Sequence, residues 1–142
     1  MIPLLKNIHA KFTTILQVRP DDIDMNKHVH SSRYLDYVLA ARFDQMERCY
    51  KMPMQSFLDI GLSWYIKTSH IEFIRPLKIN DHFSVTTNIE RFYNKGVKIE
   101  FEINRKENNK ICSKGFMDCS LIDINSGRSI TIPDDIKKLY EI

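Results

Sequence analysis

The chain has 142 residues, of which 43% are hydrophobic and 27% are charged, and its formal net charge is +3. This length suits a single domain, which we expect to span 1–142, and the composition is typical of a folded, soluble chain. The small net charge, without a run of Lys or Arg, argues against a nucleic-acid partner. No stretch approaches the roughly 20 apolar residues that cross a bilayer, so no membrane partner is expected.

The N-terminal segment and the cysteines indicate where the protein works. Residues 1–10 include Lys6 and His9 and contain no small-residue cleavage site, so we expect a cytoplasmic protein. The three cysteines are odd in number and form no CxxC pair, which predicts neither a disulfide framework nor a zinc ribbon; they are Cys49, Cys112 and Cys119.

The first part of the chain predicts a strand, a loop and a long helix. Apolar and polar residues alternate from Phe12 to Arg19, which indicates a strand ended by Pro20, and a loop follows to about His30. From Ser31 to Lys51 the period becomes helical, with one narrow polar stripe and an otherwise apolar, mostly buried surface that includes Phe43. Either Ser31 or Ser32 can cap this helix.

The rest of the chain predicts antiparallel strands. After a loop with Pro53 and Gly61, period-2 alternation marks four segments: Trp64–Ile74, His82–Tyr93, Val97–Asn104 and Ile111–Ile124. The tripeptide Asn94-Lys95-Gly96 indicates a hairpin, because Asn and Gly tolerate positive φ. A short extended tail, Arg128–Ile132, follows, and Pro133 opens a last helical turn.

This order of elements predicts an α+β fold. A long apolar helix needs a partner that wraps it, and a curved antiparallel sheet is the partner that the chain offers, as in the hotdog fold. The exposed edges of such a sheet would be paired most simply by a second copy, so we expect a homodimer or a homotetramer.

The densest group of ionisable residues, from Asp22 to Arg33, lies between the first strand and the helix. This segment resembles the signature of the 4-hydroxybenzoyl-CoA thioesterase family of hotdog enzymes, roughly D-x-D-x-x-G-H-V-N-N-x-x-Y-L-x-Y-x-E-x-x-R. The matching residues are Asp22, Asp24, His28, Val29, Tyr34, Leu35, Tyr37 and Arg42.

Further matches to the same family extend over most of the chain. They are Ile71-Glu72-Phe73-Ile74-Arg75-Pro76-Leu77, Asp81, Lys95-Gly96 and Ile132-Pro133. The sequence also departs from the pattern, with Lys27 at a usual glycine, His30 and Ser31 at two usual asparagines, and Leu39 at a frequent glutamate. The glycine permits a backbone conformation that a lysine resists, or lets a substrate pass close by.

The resemblance implies an acyl thioester hydrolase. In the family the second Asp of D-x-D attacks the thioester carbonyl or activates the water that does, and it corresponds to Asp24. A backbone N–H at the start of the helix, corresponding to Ser31, polarises the carbonyl oxygen, where a helix N-terminus favours negative charge. A thiol, with a pKa of about 8.5, leaves without a strong acid, so neither metal nor cofactor is expected.

Three neighbouring residues are supporting candidates. Asp22 is interpreted as an acceptor that organises the loop. His28 orients Asp24 or shifts its pKa, or is a structural histidine. Tyr34, in the first turn of the helix, is interpreted as packing and pocket wall, together with Trp64 and Tyr65.

Cationic residues raise two further expectations. Arg42 lies on the apolar side of the helix, where a lone charge is costly, so it needs a carboxylate partner from the sheet or from a second copy. Some of the cationic residues are candidates to bind the phosphates of coenzyme A, foremost Arg91 and Lys95. The other candidate cations are Arg75, Lys78 and Lys98.

Other functions were weighed against the thioesterase. The His28, His30, Asp22 and Asp24 group could bind a metal ion, but it matches no zinc motif. The enoyl-thioester hydratases of this fold usually carry D-x-N-P-x-H, which the chain lacks. A non-catalytic module that binds acyl-CoA is compatible with the departures at Lys27, His30 and Leu39. An acyl carrier protein thioester is the alternative to acyl-CoA as substrate.

Overall fold

The computed structural model describes residues 9–142, so the interpretation of the N-terminal segment falls largely outside the described residues. The strands are β1 (Lys11–Gln17), β2 (Leu62–Phe73), β3 (His82–Phe92), β4 (Gly96–Arg105) and β5 (Ile111–Asp123). The helices are α1 (Tyr34–Arg48), α2 (Met54–Asp59) and α3 (Asp134–Tyr140). Two short 3-10 turns, Pro20–Asp22 and Ser31–Arg33, flank the loop before α1.

The five strands form one antiparallel sheet in the order β1-β3-β4-β5-β2, with β1 and β2 at its edges. Alternate residues of β4 face the core, as the period-2 pattern predicts: Val97, Ile99, Phe101 and Ile103 are all buried. The predicted hairpin is confirmed, because Phe92 pairs with Val97 across it. The architecture is the α+β hotdog arrangement expected from the sequence, with α1 packed on the sheet.

Helix α1 buries one face rather than most of its surface. Its buried residues follow a helical spacing of three and four: Tyr34, Tyr37, Val38, Ala41, Arg42, Gln45 and Met46. The expectation that Phe43 is buried is wrong, since its side chain is 51% exposed. This one buried stripe is what a helix lying on the face of a single sheet produces.

Several local expectations are also wrong. Neither Ser31 nor Ser32 caps the helix through its side chain, because a 3-10 turn precedes α1 and Arg33 holds the cap position. The loop between Pro53 and Gly61 contains α2, whose Phe57 is fully buried. The tail Arg128–Ile132, by contrast, follows β5 as expected and pairs with it through one bridge, between Ile122 and Ser129.

No helix in the described range is long and apolar enough to cross a membrane.

Candidate active site

The segment between β1 and α1 forms a small hairpin. Ile23 and Val29 form an antiparallel β-bridge. At the open end of the hairpin, the N–H of His30 donates to the carbonyl oxygen of Asp22 over 2.9 Å. At the closed end, the N–H of Asp24 donates to the carbonyl oxygen of His28 over 2.8 Å. The hairpin therefore carries Asp24 on one strand and leads directly into the first residues of the helical segment on the other.

Lys27 closes the hairpin turn in the left-handed conformation, with φ at 63°. Its N–H donates to the carbonyl oxygen of Asp24 over 3.0 Å. A three-residue hairpin loop usually ends in such a residue, and glycine is favoured there because it has no Cβ. The lysine thus adopts the conformation that a glycine would take more easily, and the turn keeps its shape.

The carboxylate of Asp24 is held by the backbone of its own turn. Its Oδ1 accepts the N–H of Asn26 over 2.8 Å and the N–H of His28 over 3.2 Å. Desolvation alone would raise the pKa of Asp24, but these two bonds and the nearby charges of His30 and His28 lower it below its ordinary value. Asp24 is therefore an oriented, ionised carboxylate at neutral pH.

His28 contacts Asp24 through its backbone. In the described part of the chain, its imidazole makes no hydrogen bond to the carboxylate, and the contribution to orientation comes from the N–H. The residue also bridges Lys78, which attaches the hairpin to the segment between β2 and β3.

Ser31 opens the 3-10 turn that precedes α1. The first N–H groups of a helical segment have no acceptor within it. Within residues 9–142, no backbone or side-chain oxygen accepts the N–H of Ser31, whereas the N–H of Arg33 donates to His30 over 2.9 Å. The end of the helical segment thus offers a free donor next to the hairpin, where the helix dipole favours negative charge.

Asp22 is buried, with 2% of its surface exposed, and holds the site together. Its Oδ2 accepts Tyr37 Oη over 2.7 Å and Arg19 Nε over 2.9 Å, while Arg33 Nε lies 3.5 Å from Oδ1. Desolvation would raise the pKa of Asp22, but the bonds from Tyr37 and Arg19 and the two guanidinium charges lower it. One carboxylate thus connects the end of β1, the hairpin and α1.

Tyr34 is 3% exposed and anchors the opposite side of the hairpin. Its hydroxyl accepts the N–H of Leu77 over 3.0 Å, and its ring meets Phe73 edge to face. Burial raises the pKa of Tyr34. The N–H of Val29 donates to the carbonyl oxygen of Leu77 over 2.9 Å. Tyr34 is therefore part of the packing that holds the segment against which the hairpin rests.

A cavity of about 370 Å³ lies between the later turns of α1 and the sheet. Trp64 and Tyr65 line it, as the sequence predicts, together with residues of β3, β4 and β5. Arg42 also lines it and is 6% exposed. The expectation that Arg42 pairs with a carboxylate of the sheet is wrong for the described residues, since none lies within ion-pair distance.

The two foremost phosphate candidates, Arg91 and Lys95, have different partners in the structure. Arg91 forms an ion pair with Glu90 over 3.0 Å, which occupies its guanidinium. Lys95 lines a different, open groove at the surface with Lys67 and Thr68. Of the other cations, Arg75 donates to the carbonyl oxygen of Ile111, and Lys98 lies over the ring of Phe116.

Among residues 9–142, no three His, Cys, Asp or Glu side chains are grouped so that they could hold a metal ion.

Comparison with known proteins identifies the family. The model of the thioesterase-like superfamily matches residues 18–139, and the chain belongs to that superfamily. This confirms the class of enzyme that the sequence predicts, a thioesterase, while the narrower 4-hydroxybenzoyl-CoA assignment stays a prediction.

The similar proteins include two acyl-CoA thioesterases. The acyl-CoA thioesterase YbgC of Haemophilus influenzae is 25% identical over 130 residues, which are 91% of this chain and 93% of the relative. The long-chain acyl-CoA thioesterase FadM of Escherichia coli is 19% identical over 128 residues, which are 90% of this chain and 96% of the relative. The crystal structure of a DHNA-CoA thioesterase from Staphylococcus aureus shares the fold, with a TM-score of 0.86 at 14% identity and coverage of 92% and 88% of the two chains.

Proposed function

We propose that this protein hydrolyses acyl-coenzyme A thioesters to a free acid and a thiol, with Asp24 as the acting carboxylate. The observation that carries the proposal is the hairpin, which holds an ionised Asp24 by its backbone on one strand and leads through its other strand to the free N–H of Ser31. A carboxylate and a helix-end donor are the two groups that attack on a thioester carbonyl requires. The two acyl-CoA thioesterases among the similar proteins support the substrate class.

The chemistry follows from these two groups. Asp24 either bonds to the carbonyl carbon or removes a proton from the water that does, and the carbonyl oxygen gains negative charge. The N–H of Ser31 donates to that oxygen, where a preorganised donor is most effective. The C–S bond then breaks and the thiolate leaves, which needs little help because a thiol has a pKa of about 8.5. In the water route the proton held by Asp24 passes to the departing thiolate. In the direct route the acyl group is left on Asp24 as a mixed anhydride, and a water molecule then hydrolyses it to the free acid and restores the carboxylate.

We also infer that the active form is at least a homodimer. Strand β2 is an edge strand of 12 residues, so one row of its backbone groups is unpaired within the described chain. Tyr65 on this strand is 60% exposed and Phe73 is 53% exposed. Long apolar edges invite pairing with another strand. Sedimentation equilibrium would give the mass, and a monomer at micromolar concentration would contradict the inference.

Lys95 is the proposed contact for the phosphates of coenzyme A. It lines an open groove beside Lys67, whereas the guanidinium of Arg91 is already engaged by Glu90. A cation at the rim of a groove attracts phosphate without first breaking another ion pair.

The cytoplasmic location stays a prediction.

Thiol release from a panel of acyl-CoA substrates tests the proposed function. The panel covers short, medium, long and aromatic acyl groups, and the best acyl group is then offered on an acyl carrier protein. Hydrolysis of one acyl class with coenzyme A as carrier is the expected result. If no thioester is hydrolysed while acyl-CoA still binds by calorimetry, the chain is a binding module and the proposal is wrong.

A further inference from the structure

Within the described residues, Arg42 is a buried cation without a carboxylate partner. Its Nη1 donates to Thr87 Oγ1 over 3.2 Å, and its guanidinium lies 5.2 Å from the ring centroid of Tyr50. None of the ion pairs formed by residues 9–142 includes it. Residues 1–8 contain no Asp or Glu, so they offer no side-chain carboxylate either.

The contacts that Arg42 does make leave much of its hydrogen-bonding capacity unused. A guanidinium has five N–H groups, and burying a charge is costly unless it is paired. In the described structure only Nη1 has an acceptor, and neither Nε nor Nη2 is among the fully buried atoms that lack one. The open space beside Arg42 is the cavity that it lines.

That cavity is otherwise apolar. Arg42 is the one charged residue among the described residues that line it, and Met46, Ile99 and Met117 are typical of the others. Phe43 and Tyr65 line it too and are largely exposed, which places the mouth between α1 and the edge strand β2. An apolar cavity with one convergent charged donor is suited to an apolar ligand that carries one acceptor.

The residue at position 39 accounts for the lack of a carboxylate beside Arg42 on the helix. It precedes Arg42 by three residues on α1 and lines the same cavity. Side chains three apart on a helix are neighbours, so an acidic residue at this position would pair with Arg42. With leucine there, the guanidinium can pair with an anion supplied by a ligand.

We propose that Arg42 recognises a carboxylate at the far end of the acyl chain, so that the preferred substrates are half-thioesters of dicarboxylic acids. Arg42 lies 11 positions after Ser31, about 16 Å along a helix at 1.5 Å per residue. A carboxylate bound there is remote from the thioester, and the apolar cavity walls contact the methylene chain between them. The inference rests on the proposed function for the identity of the substrate as a thioester.

Binding of thioether analogues tests this inference without any hydrolysis. S-alkyl-CoA and S-(ω-carboxyalkyl)-CoA of equal chain length, over a series of lengths, are titrated by calorimetry. The wild type is expected to bind the carboxylated analogue at least about tenfold more tightly at one length. In Arg42→Met and Arg42→Gln this ratio is expected to fall to about one, with the fold retained, because replacing a buried charge by a neutral side chain is often tolerated.

Leu39→Glu provides a gain-of-partner test. The new carboxylate, three residues before Arg42, is expected to pair with it and abolish the preference while the arginine remains. Leu35→Glu is the matched control. It adds the same charge to the same helix at a partly buried leucine that does not line the cavity, and the preference is expected to persist.

The outcomes separate this inference from the proposed function. A carboxylate preference in binding without thioester hydrolysis contradicts the proposed function and leaves the role of Arg42 intact. Equal binding of the two analogues at every length overturns the inference even if hydrolysis is fast. An Arg42→Met protein that keeps the preference but dissociates into monomers also overturns it, since Arg42 would then pair with the second copy.

Discussion

Asp24 and His28 are joined by two hydrogen bonds across the base of one turn. The N–H of Asp24 donates to the carbonyl oxygen of His28 over 2.8 Å, and the N–H of His28 donates to Asp24 Oδ1 over 3.2 Å. The same bonds that close the turn therefore aim the carboxylate. Orientation by the backbone needs no particular side chain at position 28, and it keeps Asp24 ionised.

The acid limb of the pH profile should follow Asp24. Because the fold lowers the pKa of Asp24, the ionised form persists to lower pH than in an ordinary aspartate. The same shift links Asp24 to folding: the ionised carboxylate stabilises the folded protein above the unfolded-state pKa of Asp24, and this stabilisation is lost as the pH falls through its folded-state pKa. We expect kcat/KM to stay on its plateau down to the range of an ordinary carboxyl. An acid limb well above the range of an ordinary carboxyl would contradict the assignment to Asp24.

Proline at position 31 should remove the carbonyl-polarising donor without unfolding the site. Proline is tolerated at the first helical position, and the preceding His30, with ψ at 136°, is already in the extended region that proline requires. We expect Ser31→Pro to lower kcat by about 10²–10³, the usual effect of losing an oxyanion donor. Ser31→Ala keeps the N–H and should retain most of the activity. Equal rates for the two variants would exclude the Ser31 N–H from catalysis.

Lys27→Gly should stabilise the protein. At φ 63°, the left-handed conformation destabilises a residue that has a Cβ by about 1–2 kcal/mol, and glycine relieves this cost. Glycine also has more conformational freedom in the unfolded state, which offsets about 0.4–1 kcal/mol of that gain. We expect a net gain of up to about 1.6 kcal/mol in the free energy of unfolding. Lys27→Ala keeps the Cβ and serves as the control for loss of the lysine side chain. Urea denaturation measures both, and an equal gain from alanine would refute the backbone explanation.

Tyr37→Phe should destabilise the hairpin through Asp22. The substitution removes the hydroxyl that donates to the buried Asp22 carboxylate over 2.7 Å. The same hydroxyl accepts the backbone N–H of Arg19 over 3.1 Å, so that N–H also loses its acceptor. Loss of a bond to a buried charged group costs about 1.5–3 kcal/mol. Tyr93→Phe removes a chemically similar bond, to Asp118 at 3.1 Å, on the surface, and should change stability by less than about 0.5 kcal/mol. Similar losses in the two variants would mean that Asp22 does not depend on Tyr37.

The sheet and α1 could be predicted because their patterns are long. Val97 to Ile103 alternates over a whole strand, and the Asn94-Lys95-Gly96 turn fixes its pairing with β3. Helix α2 has only six residues between Pro53 and Gly61, too few to show a periodic signal, so the sequence predicts a loop there.

Much of the site depends on contacts that sequence spacing cannot specify. The sequence predicts Asp22 as an acceptor, but its donors Arg19 and Tyr37 and its ion-pair neighbour Arg33 come from different parts of the chain. Tyr37 matches the family pattern, but the pattern alone does not reveal that its hydroxyl donates to Asp22. For Arg42, the sequence predicts that the side chain is buried but not that it contacts Thr87 and Tyr50 instead of a carboxylate. These two residues approach Arg42 only in the folded chain.

The most direct test of the central claim is the rate of thiol release by Asp24→Asn, measured against Asp21→Asn on the best acyl-CoA of the panel. Asn keeps the shape of the side chain and an oxygen for the two backbone bonds but removes the charge, and the exposed Asp21 is the matched control in the preceding turn. The account predicts that Asp24→Asn loses at least about 10²-fold in kcat with its fold retained, while Asp21→Asn is as fast as the wild type. An Asp24→Asn protein as active as the wild type would show that the reaction does not depend on this carboxylate.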